Sequence, residues 1–331
     1  MSRRVLVTDY AWPDLERERA ALAPLDVELV EAPTGAEDEL AELARDAVAI
    51  LTCWKPVTRV VLESAPECVT VARYGVGLDN IDVAAATELG MIVSNVPDFC
   101  IDEVADHTMA LILAHARHLF AFAQQTASGG WDNDATGPMH RLRGRTLGLV
   151  GYGRLAQATA TRAAAFGFEV LAWSRTLGTG PRGVARGVAT LDELLAASDV
   201  VSLHVPHSPE TDRIIDASAV ARMKRGAYLV NTSRGRLIDV DALADAIRAG
   251  HLAGAALDVM PEEPPAVDHP LRTLPGVTMT PHAAFDSVES RLDLQDKAAA
   301  NVATVLAGGI PATTVNRAVL GQPNLRLALP R

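Results

Sequence analysis

The sequence predicts an α/β protein of two doubly wound lobes, each on a parallel sheet, with a cleft between them. Three observations predict it. Strand-like and helix-like segments alternate in two successive sets, the pattern of parallel strands joined by helical crossovers. A glycine-rich turn separates the first strand of the second set from its first helix. The chain has 331 residues, room for two domains of usual size.

In the first set, "RRVLVTDY" (3–10) is a short β-rich run and residues 13–23 have helical character. "DVELVEA" (26–32) reads as extended, and "GAEDELAELARD" (35–46) as an acidic, exposed helix. "AVAILTC" (47–53), "VTVARYG" (69–75) and "MIVSNV" (91–96) are apolar enough for buried strands. A longer helix is expected from about Asp102 to Ala123, its broad apolar face suited to burial between lobes. "TASGGWDNDATGPMHRLRG" then reads as a polar, glycine-rich loop or arm. The second set opens with "TLGLV" (146–150) and a helix from Arg154 to Phe166. Strands follow at 169–174, 199–206, 227–233, 254–259 and 277–282, with helices at 191–197, 216–224 and 240–249. A helix over 287–307 and a Pro-rich tail close the chain.

Composition narrows the function classes. Hydrophobic residues make up 49% and charged residues 21%, which fits a packed soluble protein and not a disordered one. No apolar run is long enough to span a bilayer, and the start lacks a secretion signal, so a cytoplasmic protein without membrane partners is expected. Cys53, Cys68 and Cys100 lack CxxC spacing and read as small buried thiols in a reducing compartment. A net charge of −11 argues against nucleic acid as a partner, which wants a basic face.

Gly151-Tyr152-Gly153-Arg154-Leu155-Ala156 is GxGxxA, a form of the dinucleotide fingerprint, here between a strand and a helix. Gly151 permits the tight turn, Gly153 lets backbone approach a pyrophosphate, and Ala156 lets the helix pack close to the strand. The helix N-terminus offers free N–H groups and a positive dipole end to phosphates. The order of elements is that of Rossmann-like or flavodoxin-like lobes. About 20 residues on, an acid usually receives the ribose hydroxyls. Ser174, Arg175 and Thr176 stand there instead. Without a carboxylate a 2′-phosphate is not repelled, and arginine pairs with phosphate. NADP(H) is therefore the preferred cofactor, with NAD(H) also accepted. The plain alternative is an exposed arginine on a permissive loop.

"LVNTSRGRLIDVDAL" (229–243), "GAALDVMPEEPP" (254–265) and "TPHAAF" (280–285) resemble conserved blocks of the D-isomer-specific 2-hydroxyacid dehydrogenases. "RYGVGLDNIDV" (73–83) and "NVPDFCIDEVADHTMALILAHAR" (95–117) resemble that family's substrate loop and inter-domain helix. Asp106, where most of the family has Glu, and the long 282–306 stretch are similar to the C-terminal-binding-protein-like branch. The resemblance implies a discontinuous substrate-binding domain, 1–98 with 288–331, and a Rossmann dinucleotide-binding domain over 99–287. It implies hydride transfer between a nicotinamide cofactor and a small 2-keto or 2-hydroxy acid, and a homodimer paired through the cofactor domain.

It also implies a catalytic trio, Arg234, Glu263 and His282. The chemistry fits: a planar guanidinium holds a carboxylate and polarises a carbonyl, and a histidine moves the hydroxyl proton near neutral pH. A carboxylate beside that histidine favours its protonated form. Taken singly, Arg234 also reads as a surface residue, one of Glu262 and Glu263 as exposed, and His282 as a loop residue. Further cofactor contacts implied are Arg154, Leu155, Val205, Pro206, Thr232, Asp258 and Thr108, with Asp258 facing the carboxamide. Substrate contacts implied are Val76 and Gly77, whose N–H groups receive the carboxylate, together with Arg73, Trp54, Lys55 and Phe285. Lys55 and Arg73 read either as rim cations or as positive potential for a second anionic group. Asp79 and Asp82 fix the loop and cap the next helix. His107, His115 and His118 fall at helical spacing without carboxylates, so no metal is expected. The rival function is a cofactor-sensing regulatory or corepressor-type binding protein of that same branch.

Overall fold

The computed structural model describes residues 3–327, so the end of the Pro-rich tail lies outside the described residues. The chain forms two compact units, residues 1–100 with 287–331, and residues 101–286.

The first unit runs β1 (Arg3–Val7), α1 (Glu16–Leu22), β2 (Val27–Glu31), α2 (Glu37–Ala44), β3 (Ala47–Thr52), α3 (Arg59–Glu63), β4 (Thr70–Arg73), α4 (Val83–Glu88) and β5 (Ile92–Ser94). The strands lie in the order β2-β1-β3-β4-β5, all parallel. This is the flavodoxin-like order, whose direction reverses between β1 and β3. Leu6, Ile50 and Val71 fill one face with Leu40, Val61 and Leu62 from α2 and α3. Asp82 caps α4 by accepting the Ala85 N–H at 2.8 Å. The last α-helix among the described residues, α11 (Val288–Leu306), belongs to this unit and starts with a capping box at Ser287 and Ser290.

The second unit runs α5 (Ile101–Ala116), α6 (Leu119–Ala127), β6 (Thr146–Val150), α7 (Arg154–Ala165), β7 (Glu169–Trp173), β8 (Gly180–Arg182), β9 (Ala185–Gly187), α8 (Leu191–Ala197), β10 (Val200–Leu203), α9 (Ala217–Arg222), β11 (Tyr228–Asn231), α10 (Val240–Arg248), β12 (Gly254–Leu257) and β13 (Val277–Met279). Its sheet order is β13-β12-β11-β10-β6-β7-β9-β8, parallel except for the β8–β9 pair. The reversal lies between β6 and β10, which makes the carboxyl ends of these two strands the expected ligand crevice. Ala156, Ala160 and Ala163 of α7 are fully buried, and their small side chains admit Met109 and Ile112 of α5.

The expected single helix from Asp102 to Ala123 is in fact two. His118 adopts a left-handed backbone (φ 50°) between α5 and α6. No Gly or Pro marks this break. Tertiary partners hold it: His118 Nδ1 lies 2.9 Å from Thr136 Oγ1, and His115 stacks on Tyr228 at 3.4 Å. The stretch expected to be a loop or arm starts as the last residues of α6 and becomes irregular after Ala127. The β8–β9 hairpin and the short helices α3 and α4 carry too few residues for a clear periodic signal. Cys53, Cys68 and Cys100 are buried and form no disulfide, and burial pushes the Cys53 and Cys68 thiols up to about 12. Among the described residues no helix is long and apolar enough to cross a membrane, and no cluster of side chains could hold a metal ion.

Candidate active site

At the carboxyl end of β6 the chain turns through Gly151, at φ +96°. A Cβ there would lie 2.5 Å from the carbonyl oxygen of His204, at the end of β10, so only glycine lets these two strand ends touch. Gly153 differs. It has an ordinary φ of −78°, and a Cβ on it would meet nothing within 4 Å. Open space at that atom, beside the free N–H groups that begin α7, is a cradle a Cβ would fill. It fits the pyrophosphate of a dinucleotide. Arg154 is exposed and Leu155 half-buried at the same helix start. Val205 is half-buried and Pro206 exposed on the β10 side.

Ser174, Arg175 and Thr176 follow β7, the neighbour of β6, with Arg175 and Thr176 exposed. A clamp that the sequence did not announce organises this loop. The Tyr152 hydroxyl, between the two glycines, donates to the Arg182 carbonyl at 2.7 Å. The Arg182 guanidinium reaches the Leu177 carbonyl through Nε (3.2 Å) and Nη2 (2.7 Å). Arg182 is thus occupied by backbone. Arg175 makes no hydrogen bond or ion pair among the described residues. Its charge reaches Glu210, whose carboxyl is held below the usual range first by the Ser208 hydroxyl and more weakly by Arg175.

The strand ends of β11, β12 and β13 bring the expected trio into one unit. Asn231, fully buried, accepts the Ser233 N–H at 3.0 Å and donates to the Arg234 carbonyl at 2.8 Å, which shapes the turn carrying Arg234. A Cβ on Gly235 would lie 2.0 Å from the carbonyl carbon of Met260, so this glycine lets the Arg234 turn lie against the segment before Glu263. The Met260 N–H donates to Glu263 Oε1 at 2.9 Å, and Glu263 Oε2 is 2.7 Å from His282 Nδ1. Burial pushes the Glu263 carboxyl up. The His282 hydrogen bond and charge, the Met260 N–H and the Arg234 charge outweigh it and hold the carboxyl below its ordinary value. The His282 and Glu263 side chains are 34% and 38% exposed, so the pair is reachable by a small ligand.

His282 adopts φ +55°, a left-handed backbone that costs about 1–2 kcal/mol for a non-glycine residue. Asp258 holds it there. The Asp258 carbonyl accepts the His282 N–H at 2.8 Å. The Asp258 carboxylate accepts from the Thr280 hydroxyl (2.6 Å) and from the N–H groups of Ala283 (2.8 Å) and Ala284 (2.9 Å). Phe285 lies edge-on to the His282 ring at 6.2 Å.

Two expectations change. Asp258 was expected to face the cofactor, but its side chain has no exposed surface and is committed to the turn before His282. Thr108 was expected to reach the cofactor side, but it is fully buried and meets the Thr232 hydroxyl at 3.0 Å. Sequence reasoning missed Asn231, Gly235 and Thr280, whose roles show only through partners distant in the chain. It also left His107 without a role.

Trp54, Lys55, Val76 and Gly77 lie at carboxyl ends of β3 and β4 in the first unit. Asp9, overlooked in the sequence, gathers the N–H groups of Cys53 (3.0 Å), Trp54 (2.8 Å) and Lys55 (3.2 Å). Asn95 donates to the Val76 carbonyl at 2.8 Å. Arg73 is not a rim cation. It is 9% exposed, and its guanidinium donates to the Thr52 and Tyr74 carbonyls. The Lys55 stem crosses Gly35, where a Cβ would come within 2.7 Å of it, and its charge reaches Glu39.

Residues 109–284 match the family model described as D-isomer specific 2-hydroxyacid dehydrogenase, NAD binding domain. The chain is 37% identical over 291 residues to the glyoxylate reductase of Thermofilum pendens, covering 86% of this chain and 85% of that one. It is 39% identical to the D-3-phosphoglycerate dehydrogenase of Methanocaldococcus jannaschii, over 97% of this chain and 61% of that longer protein. Among solved structures, the NADPH-dependent glyoxylate/hydroxypyruvate reductase of Sinorhizobium meliloti, in complex with NADP and malonate, aligns with a TM-score of 0.86. It is 30% identical, and the alignment covers 100% of each chain.

Proposed function

The chain belongs to the D-isomer-specific 2-hydroxyacid dehydrogenase family, NAD(P)-dependent oxidoreductases acting on CH–OH groups, and from that premise we propose an NADPH-preferring reductase of small 2-keto acids. The observation that carries the reading is the 2.7 Å contact of His282 Nδ1 with Glu263, a carboxylate that also feels the Arg234 charge. With Nδ1 committed to Glu263, Nε2 is the atom left to give a proton to the substrate oxygen, or to take one in the reverse direction. Glu263 stabilises the imidazolium between those events. Arg234 holds the substrate carboxylate and draws charge from the carbonyl. The nicotinamide cofactor supplies the hydride when bound. The glycine turn at Gly151 and Gly153, the start of α7 at Arg154 and Leu155, and Val205, Pro206 and Thr232 would hold that cofactor. By the family resemblance, Val76, Gly77, Trp54 and Phe285 would also contact the substrate.

The unpaired Arg175 favours NADPH, since a 2′-phosphate supplies the anion it lacks. The engagement of the Arg73 guanidinium by backbone carbonyls supports a monoanionic substrate such as glyoxylate, the substrate named for several relatives. The regulatory reading has no observation in its favour. A homodimer through the cofactor unit is supported by Leu119, Phe120 and Trp131, which are 54%, 53% and 92% exposed.

The test is turnover of glyoxylate, hydroxypyruvate and a phosphorylated keto acid with NADPH and with NADH. Glyoxylate with NADPH is expected to turn over, and His282→Gln to lower the rate by roughly 10²–10⁴-fold, the usual share of general acid–base catalysis. Arg175→Ala is expected to erode NADPH preference by about tenfold, or about 1.4 kcal/mol. Tight cofactor binding with no turnover of any keto acid would overturn the proposal and favour a regulatory protein.

A further inference from the structure

We propose that His107 and Thr108, neighbours on α5, are positioning residues that hold the His282 segment and the Arg234 segment from a single helix. The proposal rests on the reading of Arg234 and His282 given above.

His107 Nε2 lies 3.2 Å from Thr280 Oγ1 and 3.7 Å from Asp258 Oδ1. Thr280 gives its only hydroxyl hydrogen to Asp258 at 2.6 Å, so toward His107 it is an acceptor. The chain of donation is then His107 to Thr280 to Asp258. Asp258 in turn binds the N–H groups of Ala283 and Ala284 through its carboxylate and that of His282 through its carbonyl. A strained backbone such as the φ +55° at His282 persists only where its surroundings over-determine it. His107 is the far end of the chain of bonds that does so.

The next residue, Thr108, turns about 100° further around the helix. There it meets Thr232 at 3.0 Å, two residues before Arg234 in the turn that Asn231 shapes. The helix itself is anchored. Met109 and Ile112 pack on α7, and Asp102 and Asp106 pair with Arg162 at 2.7 and 2.5 Å. One rigid element thus grips the turn carrying the guanidinium and the turn carrying the imidazole. The interval between the two charged groups is set by it.

The test uses the whole chain with saturating cofactor and glyoxylate. The variants are His107→Leu, His107→Gln, Thr108→Val and Thr108→Ser, with His282→Gln and Arg234→Ala alongside. Cofactor affinity and Tm are measured on each. His107→Leu and Thr108→Val are expected to lose about 10- to 100-fold in kcat, the effect of misplacing a catalytic group by up to about 1 Å. Cofactor affinity stays at the parent value, and His107→Gln and Thr108→Ser recover most of the rate because a side-chain donor returns. Parental kcat in folded His107→Leu and Thr108→Val, with His282→Gln and Arg234→Ala inactive, overturns the proposal and leaves the assignment of the reaction intact. Loss of kcat in step with cofactor affinity, without rescue by Thr108→Ser, also overturns it, since Thr108 would then be a cofactor contact. Full activity in His282→Gln and Arg234→Ala instead overturns the underlying assignment.

Discussion

Gly235→Ala separates the two backbones that meet beneath Arg234 and Glu263. An alanine Cβ would lie 2.0 Å from the carbonyl carbon of Met260, and 2.3 Å both from its oxygen and from the nitrogen of Pro261. Carbon atoms in contact stand about 3.5–4.0 Å apart, so the segments must part by about 1.5 Å. All three neighbours are main chain, and no rotamer relieves the overlap. Arg234 is the adjacent residue on one side, and on the other Met260 fixes Glu263 through a 2.9 Å hydrogen bond. A displacement of that size reaches both charged groups, and about 1 Å of misplacement costs about 100-fold in rate. The overpacking itself costs about 1–3 kcal/mol, which in a unit of this size lowers Tm by about 2–4 °C per kcal/mol. Steady-state reduction of glyoxylate with calorimetry is the assay. The expected outcome is kcat down by about two orders of magnitude with Tm lowered by several degrees. Parental kcat and Tm would refute the view that this glycine sets the approach.

Gly153→Ala should do the opposite. Its Cβ enters open space from an ordinary backbone, so Tm stays unchanged while cofactor KM rises by about tenfold or more, because the space is reserved for phosphate. Parental KM would show that the space is not used. Tyr152→Phe removes the hydrogen bond to the carbonyl of Arg182, whose own guanidinium holds the loop at Leu177, and should reduce the NADPH-to-NADH ratio of kcat/KM by about 2- to 10-fold, the value of a neutral hydrogen bond. An unchanged ratio would mean that the clamp does not orient Arg175. Burial lowers the His115 imidazole from 6.5 to about 4. The depressed value means that its contribution to stability is complete above pH 6.5 and is lost as pH falls through about 4. His115→Phe, which keeps a ring against Tyr228, should therefore lose less Tm between pH 7 and pH 4 than the parent. Equal losses would show that His115 does not titrate in the fold.

Legibility in the sequence follows the range of the forces involved. The strands β6, β7, β10, β11 and β12 lie within the runs read from apolar content, since a buried parallel strand writes its environment into consecutive residues. The break at His118 does not show, because no local residue causes it. Thr136 and Tyr228 hold the neighbouring side chains in place from distant parts of the chain. Arg73 read as a free cation because charge is visible in a sequence and burial on carbonyls is not. Asp258 read as a ligand contact because its carboxylate is visible, while the three donors it satisfies lie up to 26 residues away.

By itself, then, the order of residues determined the two wound lobes, the glycine turn and the residue types available for hydride-transfer chemistry. These rest on periodicity, on backbone freedom at glycine and on side-chain chemistry, all local properties. Only the tertiary structure decided which groups are free to act. Arg175 stands unpaired while Arg182 and Arg73 are engaged with carbonyls, and Glu263 meets His282 while Asp258 is enclosed. The physical reason is that availability depends on the partners a group finds, and those partners come together from strand ends far apart in the chain.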